Sequence, residues 1–238
     1  MDNALAYLTL NRQIGLRREM ELIANNIANL DTAGFRREGM VFSEVVHAAA
    51  SGASVSMADG GVRFASSAPG PMAQTGGTFD LALESQGFFA IEDDQGIILT
   101  RAGRFQLSPE GFLVTADGRN VLDEGQAPVF LPPGVPITIG ADGTVSADGV
   151  EQARIGVFTA VPETLQRIGG AGFRPLEGID AVPVPKLRQG ALEGSNVAAV
   201  EEIARMIAVS RAYEQVQGLM RDEGERIRES IRTLGQPL

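Results

Sequence analysis

The sequence predicts an α+β protein, with N- and C-terminal helices pairing as a coiled-coil-like stalk and a central, mainly antiparallel β domain. Apolar residues recur three and four apart near both ends, and the middle alternates short apolar runs with turn dipeptides. Gly 29 and Pro 12, with only 5% aromatic residues, also favour many turns over a helical core. The predicted segments are an N-terminal assembly helix (1–34), an extended linker or loop region (35–75), the β domain (76–185) and a C-terminal assembly helix with its lead-in (186–238).

The N-terminal segment carries a heptad seam, the pattern that keeps one narrow apolar stripe against a partner helix. Its members alternate in spacing between four and three: Leu16, Met20, Ile23, Ile27 and Leu30. Leu10 and Ile14 fall outside this register. Gly34 is the predicted stop of the helix, because glycine readily takes the left-handed conformation just past a helix end.

The C-terminal segment carries a second seam. Ser195 or Asn196 is the predicted N-cap, and Glu201 and Glu202 fall near the positive end of the helix dipole. The seam residues alternate three and four apart: Met206, Val209, Tyr213, Val216 and Met220. Two such seams can bury each other and still leave helix surface for other partners.

Between the helices, turn signals punctuate short apolar runs. The run FDLAL at 79–83 alternates with period two, as a half-buried strand does. Asp117-Gly118, Asp142-Gly143 and Asp148-Gly149 are hairpin dipeptides. The stretch 51–77 is rich in Ser, Ala and Gly without clear periodicity, which predicts a long loop.

No motif for catalysis, a cofactor or a metal is present. The single histidine, His47, has no accompanying nucleophile elbow, and no phosphate-binding loop, dinucleotide fingerprint or zinc motif occurs. The net charge of −10 argues against nucleic-acid binding, and no apolar run is long enough to insert in a membrane. We therefore expect a non-enzyme with no catalytic, cofactor-binding or metal-binding residues.

Three segments, taken in order, resemble the flagellar rod and hook protein family. The first is ANNIANLDTAGFRR at 24–37, similar to the signature that follows the family's N-terminal helix. The second combines QGFFAI at 86–91, TRAGRF at 100–105 and GFLVTADG at 111–118, similar to its β-domain core. The third is LEGSNV at 192–197 with SRAYE at 210–214. The resemblance therefore covers essentially the whole chain.

The resemblance implies a structural subunit of the bacterial flagellar basal-body rod, in the periplasmic space, that polymerises helically and transmits torque from motor to hook. It implies export by the flagellar type III apparatus without a cleaved signal peptide, and partners among other rod proteins, above all the distal-rod protein. Self-assembly and hetero-assembly both fit. The assembly interface that it implies comprises both seams together with Asn25, Asn26, Asn29, Arg36, Arg37, Arg211 and Glu214.

Within the family, the opening of the chain and its modest length favour a proximal-rod subunit. The distal-rod protein is the alternative from the same family. A module that caps or regulates the growing rod is a second alternative, and a hydrolase with an unrecognised site in the β domain is a third.

Overall fold

The computed structural model describes residues 2–48 and 54–234, which form two compact units. The helical unit is drawn from Met1–Ala28, Arg37–Ser66 and Ala198–Leu238. The β unit is drawn from Asn29–Arg36 and Ser67–Val197. The α+β class predicted from the sequence is confirmed.

The helical unit contains α1 (Asp2–Ala28), α2 (Ala199–Leu234) and a ribbon of two antiparallel strands, β1 (Glu38–Ala48) and β2 (Ser54–Ala65). The two helices lie side by side and antiparallel. Residues early in α1 contact residues late in α2, as in Gln13 with Tyr213, and later residues of α1 contact earlier ones of α2, as in Glu19 with Arg205. No helix in the described part of the chain is apolar over a sufficient length to cross a membrane.

Both inner helix ends differ from the prediction. Helix α1 ends at Ala28, before Gly34, because the Thr32 N–H donates to the Asn29 carbonyl and the Phe35 N–H donates to the Thr32 carbonyl, which closes two turns. Helix α2 begins at Ala199. The predicted caps lie ahead of this start, and the Ser195 hydroxyl accepts instead from the Val197 N–H in the preceding turn.

The predicted loop at 51–77 is wrong over most of its described length. Strand β2 pairs with β1 from Glu38 opposite Ala65 to Ala48 opposite Ser54, and Met72–Gln74 forms a further short strand. Residues 51–53 of the predicted loop lie outside the described residues. Strand pairing uses main-chain N–H and C=O groups, which a Ser-, Ala- and Gly-rich segment supplies without a period-two apolar pattern.

The β unit consists of short strands in which every described pairing is antiparallel. The strands are β3 (Met72–Gln74), β4 (Leu81–Leu83), β5 (Phe88–Asp93), β6 (Gly96–Thr100), β7 (Phe105–Leu107), β8 (Leu113–Thr115), β9 (Ile137–Ile139), β10 (Thr144–Ala147), β11 (Val150–Arg154), β12 (Val157–Thr159), β13 (Leu165–Gly169), β14 (Gly172–Pro175), β15 (Asp180–Ala181), β16 (Leu187–Gln189) and β17 (Ala191–Glu193). One six-stranded sheet has the order β13-β14-β6-β5-β12-β15, and a three-stranded sheet has the order β11-β10-β9. Three two-stranded sheets pair β16 with β4, β17 with β3 and β7 with β8. A short 3-10 helix spans Pro162–Thr164.

The predicted hairpin dipeptides all lie in turns. Gly118 and Gly143 have φ of 82° and 87°, and Asp148 and Gly149 both have positive φ, at 51° and 79°. Two consecutive residues with positive φ are what a two-residue type I′ hairpin between β10 and β11 requires.

Two apolar clusters form the core of the β unit, and the central strands contribute to both. In β5, Phe89 belongs to the first cluster and Ala90 to the second, and in β12 Val157 and Phe158 divide in the same way. Adjacent residues of a strand point to opposite faces, so these strands are covered on both sides. This explains why 87–91 is a continuous apolar run with no polar alternation.

Candidate assembly interface

Some residues of the two predicted seams contribute to the buried part of the helical unit. Ile23 of α1 and Val209 and Val216 of α2 are buried. The remaining seam residues on the helices are half-buried or exposed: Leu16, Met20, Ile27, Met206 and Tyr213 are half-buried, and Met220 is exposed. Leu30 lies in the turns that follow α1, because the helix has ended by then.

Polar side chains extend the contact between α1 and α2. The guanidinium of Arg205 donates from Nε and Nη2 to Glu19 Oε1, at 3.1 and 2.8 Å. Gln13 Nε2 donates to the Tyr213 hydroxyl at 3.1 Å. Tyr213 was predicted as a seam residue, whereas Glu19 and Arg205 were not, since a heptad pattern reports only apolar spacing.

Asn26 is fully buried, at 0% exposure, in the last turn of α1. Its Nδ2 donates to the Glu38 carbonyl at 2.9 Å, and its Oδ1 accepts from the Glu38 N–H at 2.9 Å. The same Nδ2 also donates to Glu202 Oε2 at 3.3 Å. The amide therefore joins the end of α1, the start of β1 and the first turn of α2, and both Nδ2 donors bond inside the chain.

Glu202 is likewise fully buried and binds Arg37. The Arg37 Nε lies 2.5 Å from Glu202 Oε1, and the Arg37 side chain is 29% exposed. A carboxylate with no solvent contact needs charged and polar partners, which Arg37 and Asn26 supply. Glu202 was predicted only as an acidic residue near a helix N-terminus, where it does lie.

A second buried ion cluster lies in the β unit around Glu193, which is 0% exposed. Glu193 Oε1 lies 2.8 Å from Arg36 Nη2 and accepts from the Gly70 N–H at 3.0 Å. Glu193 Oε2 accepts from Arg101 Nη1 at 3.3 Å. Arg36 also donates to the Ser67 carbonyl, and one carboxylate thus joins four separate parts of the chain.

The Glu193 cluster is electrostatically costly, because two guanidinium groups share one carboxylate. Burial lowers the pKa of Arg36 from the ordinary arginine value, while Glu193 opposes that shift. Burial lowers the pKa of Arg101 in the same way, again opposed by Glu193, and the neighbouring Arg36 lowers it further. The negative charge of Glu193 therefore offsets part of the free-energy cost of burying the two guanidinium groups.

Gly34 and Phe35 lie in the turn within the family-like segment 24–37, and Gly34 contacts this cluster directly. The Gly34 N–H donates to the Glu193 carbonyl at 2.8 Å. Gly34 has φ of 68°, and a Cβ there would lie 2.2 Å from the Arg101 carbonyl carbon. Phe35 is buried, with the Arg167 guanidinium 4.4 Å above its ring. Only glycine fits at position 34 for both reasons.

Two residues of the interface implied by the resemblance form contacts inside this chain. Asn26 and Arg36 were expected to contact neighbouring subunits, but both are buried and bonded inside this chain. Asn29 is half-buried and accepts from the Thr32 hydroxyl. Asn25, Arg211 and Glu214 are exposed, so contacts from these side chains to other subunits stay a prediction.

The residues that sequence reasoning missed are Glu193, Arg101 and Glu202 as cluster members. Glu193 and Arg101 both stand in the segments that resemble the family, LEGSNV and TRAGRF. Two signals were available in the sequence. Glu193 is an acidic residue flanked by Leu and Gly, and Arg101 directly follows an apolar strand. Among the described side chains, no group of histidine and acidic residues is arranged to hold a metal ion. His47 lies in β1, and its side chain is outside the described residues.

Comparison with known proteins matches three parts of the chain to flagellar families. Residues 8–36 match "Flagella basal body rod protein", residues 82–147 match "Flagellar hook protein FlgE/F/G D1 domain", and residues 188–233 match "Flagellar basal body rod FlgEFG protein C-terminal". The matches fall on the three segments that carry the resemblance.

Full-length relatives decide the family. The flagellar basal-body rod protein FlgF of Caulobacter vibrioides is 40% identical over 99% of this chain and 99% of its own. This chain belongs to the FlgF family of flagellar basal-body rod proteins. FlgF of Mesorhizobium japonicum is 37% identical over 96% of this chain and 97% of its own.

A relative with the other name is less similar to this chain than these two FlgF proteins. A basal-body rod protein FlgG, from Bacillus subtilis, is 30% identical over 90% of this chain and 92% of its own. The higher identity to the two FlgF proteins favours the proximal-rod interpretation over its alternative within the family. The chain is thus a structural subunit of the flagellar basal-body rod, where it assembles with other rod proteins.

Proposed function

We propose that this chain polymerises helically in the proximal rod and transmits torque from the motor to the hook, with no catalytic role. The observation that carries the proposal is the antiparallel pair of α1 and α2, in which Ile23, Val209 and Val216 are buried. The pair acts as a coiled-coil-like stalk. A torque-bearing subunit needs a terminal stalk that keeps its shape, and the buried Asn26–Glu202–Arg37 contacts brace this one at its base.

The two units divide the work in this proposal. The helical unit supplies the contacts of the polymer, through the exposed Asn25, Arg211 and Glu214 among others, and the β unit lies outside the polymer's inner tube. The partners are other rod proteins, above all the distal-rod protein. The subunit reaches the periplasmic part of the basal body through the flagellar type III export apparatus, without a cleaved signal peptide. These features follow from the family resemblance and fit the absence of cysteine from the sequence.

The test is Ile23→Asp, which places a charge in the fully buried centre of the α1 seam. We expect loss of the chain from purified basal bodies and loss of motility, because a buried unpaired carboxylate prevents the helices from packing. Exchange protection in the β unit should persist, since Ile23 belongs to the helical unit. The matched control is Val184→Asp, at a β-unit side chain that is 74% exposed, which should still be incorporated.

Motile cells whose basal bodies contain the Ile23→Asp chain at the normal level would refute the role of the stalk. A wild-type chain found only in growing rods, and absent from completed basal bodies, would instead support a capping or regulatory module.

A further inference from the structure

The chain passes between the helical unit and the β unit at four places, which are 28–29, 36–37, 66–67 and 197–198. The first two are the ends of one eight-residue segment, Asn29–Arg36, which we call the strap. The strap contains no helix or strand residues, because α1 ends at Ala28 and β1 begins at Glu38. It belongs to the β unit, although the elements on either side of it in sequence belong to the helical unit.

The last three residues of the strap are buried and bond to other parts of the β unit. The Gly34 N–H donates to the Glu193 carbonyl at 2.8 Å. The Phe35 carbonyl accepts from the Asn196 N–H at 3.2 Å. Arg36 Nη2 lies 2.8 Å from the Glu193 carboxylate. Both partner residues belong to the β unit, so these contacts can form whether or not the two helices pack.

Arg167 of β13 joins the strap to the core of the β unit. Its guanidinium carbon lies 4.4 Å from the centroid of the Phe35 ring and 4.8 Å from the centroid of the Phe173 ring. The same guanidinium donates to the carbonyls of Arg36 and Gly170. A planar guanidinium can stack on aromatic rings and donate hydrogen bonds in its own plane at the same time. One side chain therefore holds the strap both by a ring and by its main chain.

The strap closes over the core of the β unit without forming part of it. Phe173 belongs to the second apolar cluster, whereas Phe35 is only 1% exposed and belongs to neither cluster. Opening of the strap would therefore expose Phe35 and leave both clusters in place. A segment held by a few side chains opens at a lower free-energy cost than the strands beneath it.

We propose that the strap is a two-state element, held closed by Arg167, that opens as a unit while the β unit stays folded. Opening releases eight residues, which can extend by up to about 26–29 Å. It also leaves two of the four chain connections between the units. Arg167 is the positioning residue for the strap, and it lies outside the three segments that carry the family resemblance. The proposal concerns the fold of the chain and does not depend on its role in the rod.

Hydrogen exchange followed by NMR on the full-length protein tests the strap, because NMR resolves single amides. The Gly34 and Asn196 amides are the reporters, since the hydrogen bonds of both break when the strap opens. Arg167→Met removes the guanidinium but keeps an unbranched side chain on β13. We expect both reporters to exchange at least about tenfold faster, while the protected amides of β5 and β6 change by less than about twofold.

The matched control is Arg154→Met. Arg154 lies in the same unit and forms surface ion pairs with Glu124 and Asp142, so its loss should leave the reporters unchanged. A similar acceleration from both variants would refute the specific role of Arg167. Unchanged reporters in Arg167→Met would refute it too. Equal acceleration of the reporters and of β5 and β6 would show that the strap unfolds only with the whole β unit, which contradicts the proposal.

Two further variants test whether Arg167 acts through the Phe35 ring. Arg167→Lys keeps the charge without the planar group, so it should accelerate the reporters nearly as much as Arg167→Met. Phe35→Leu should accelerate them as well, and combining it with Arg167→Met should add little to the larger single effect. Exchange in Arg167→Lys equal to that of the unchanged protein would refute the stacking assignment, and so would fully additive effects of the other pair.

Ile23→Asp separates the strap from the helices. Ile23 belongs to the helical unit, and none of the strap contacts named above involves it. The reporters should therefore stay protected in this variant while the amides of α1 and α2 exchange. Loss of reporter protection together with that of the helices would show that the helical unit holds the strap. That result would overturn the proposal whether or not the chain functions in the rod.

Discussion

Removing the charge of Glu193 is the sharpest test of what the signature segments do. Glu193→Gln keeps the size of the side chain but leaves Arg36 and Arg101 buried with no counter-charge. The new amide also presents donors where the carboxylate accepted from guanidinium groups and from the Gly70 N–H. Breaking a buried ion pair from one side costs about 3–5 kcal/mol. We expect destabilisation of the β unit at the lower end of that range, since Gln retains one acceptor.

The matched control is Glu124→Gln. Glu124 pairs with Arg154 at 3.5 Å, and both side chains are about 40% exposed, which makes the pair a surface contact. Exposed pairs contribute about 0–1 kcal/mol. The same chemical change in the same unit is therefore expected to have little effect.

Hydrogen exchange followed by mass spectrometry reports on each unit separately. In peptides covering β5 and β6, a loss of about 3 kcal/mol accelerates exchange of the most protected amides by about two orders of magnitude. Glu124→Gln should change these rates by less than about fivefold. Similar exchange rates for the two variants would refute the argument that Glu193 neutralises a buried cationic pair.

Two further predictions concern turns of the β unit. Gly34→Ala should lower the free energy of unfolding by more than about 1 kcal/mol, because φ is 68° and the new Cβ would lie 2.2 Å from backbone atoms. Gly118 has φ of 82° but open space around it, so Gly118→Ala should lower the same free energy, measured by urea unfolding, by only about 1 kcal/mol. A larger loss for Gly118→Ala would contradict this. The hydrogen bonds from Thr144 lower the pKa of Asp142, so its contribution to stability is present above the ordinary value of 3.8 and is lost as pH falls below that value towards the folded-state pKa. The melting temperature of Asp142→Ala should therefore converge with that of the unchanged protein at acid pH, and a constant difference across the pH range would refute the assignment.

The sequence predicted those features that depend on local periodicity or local turn chemistry. Helical spacing alone determines which residues share a face of a helix, and three of the ten predicted seam residues, Ile23, Val209 and Val216, are buried. The Asp-Gly turns emerged because positive φ is a property of the dipeptide itself. The family was evident from three short segments in order.

Other features depend on contacts between distant parts of the chain, which local patterns do not contain. The turn that contains Gly34 is one of them, because the Gly34 N–H donates to the carbonyl of Glu193, far away in sequence. The strand at Ser54–Ala65 forms through its partner β1, and its own composition predicts a loop. The buried ion clusters could not be predicted because nothing near Arg36 in sequence identifies Glu193 as its partner.

The adjacent residues Arg36 and Arg37 show why a family signature need not mark a binding surface. Arg36 belongs to the β unit and pairs with Glu193, while Arg37 belongs to the helical unit and pairs with Glu202. Each guanidinium compensates a carboxylate that is fully buried, so removing either one would leave a buried charge without its partner. A signature engaged in this way has little capacity left for neighbours. We therefore expect contacts to neighbouring subunits from exposed side chains such as Arg211 and Glu214, and not from the buried Asn26 and Arg36.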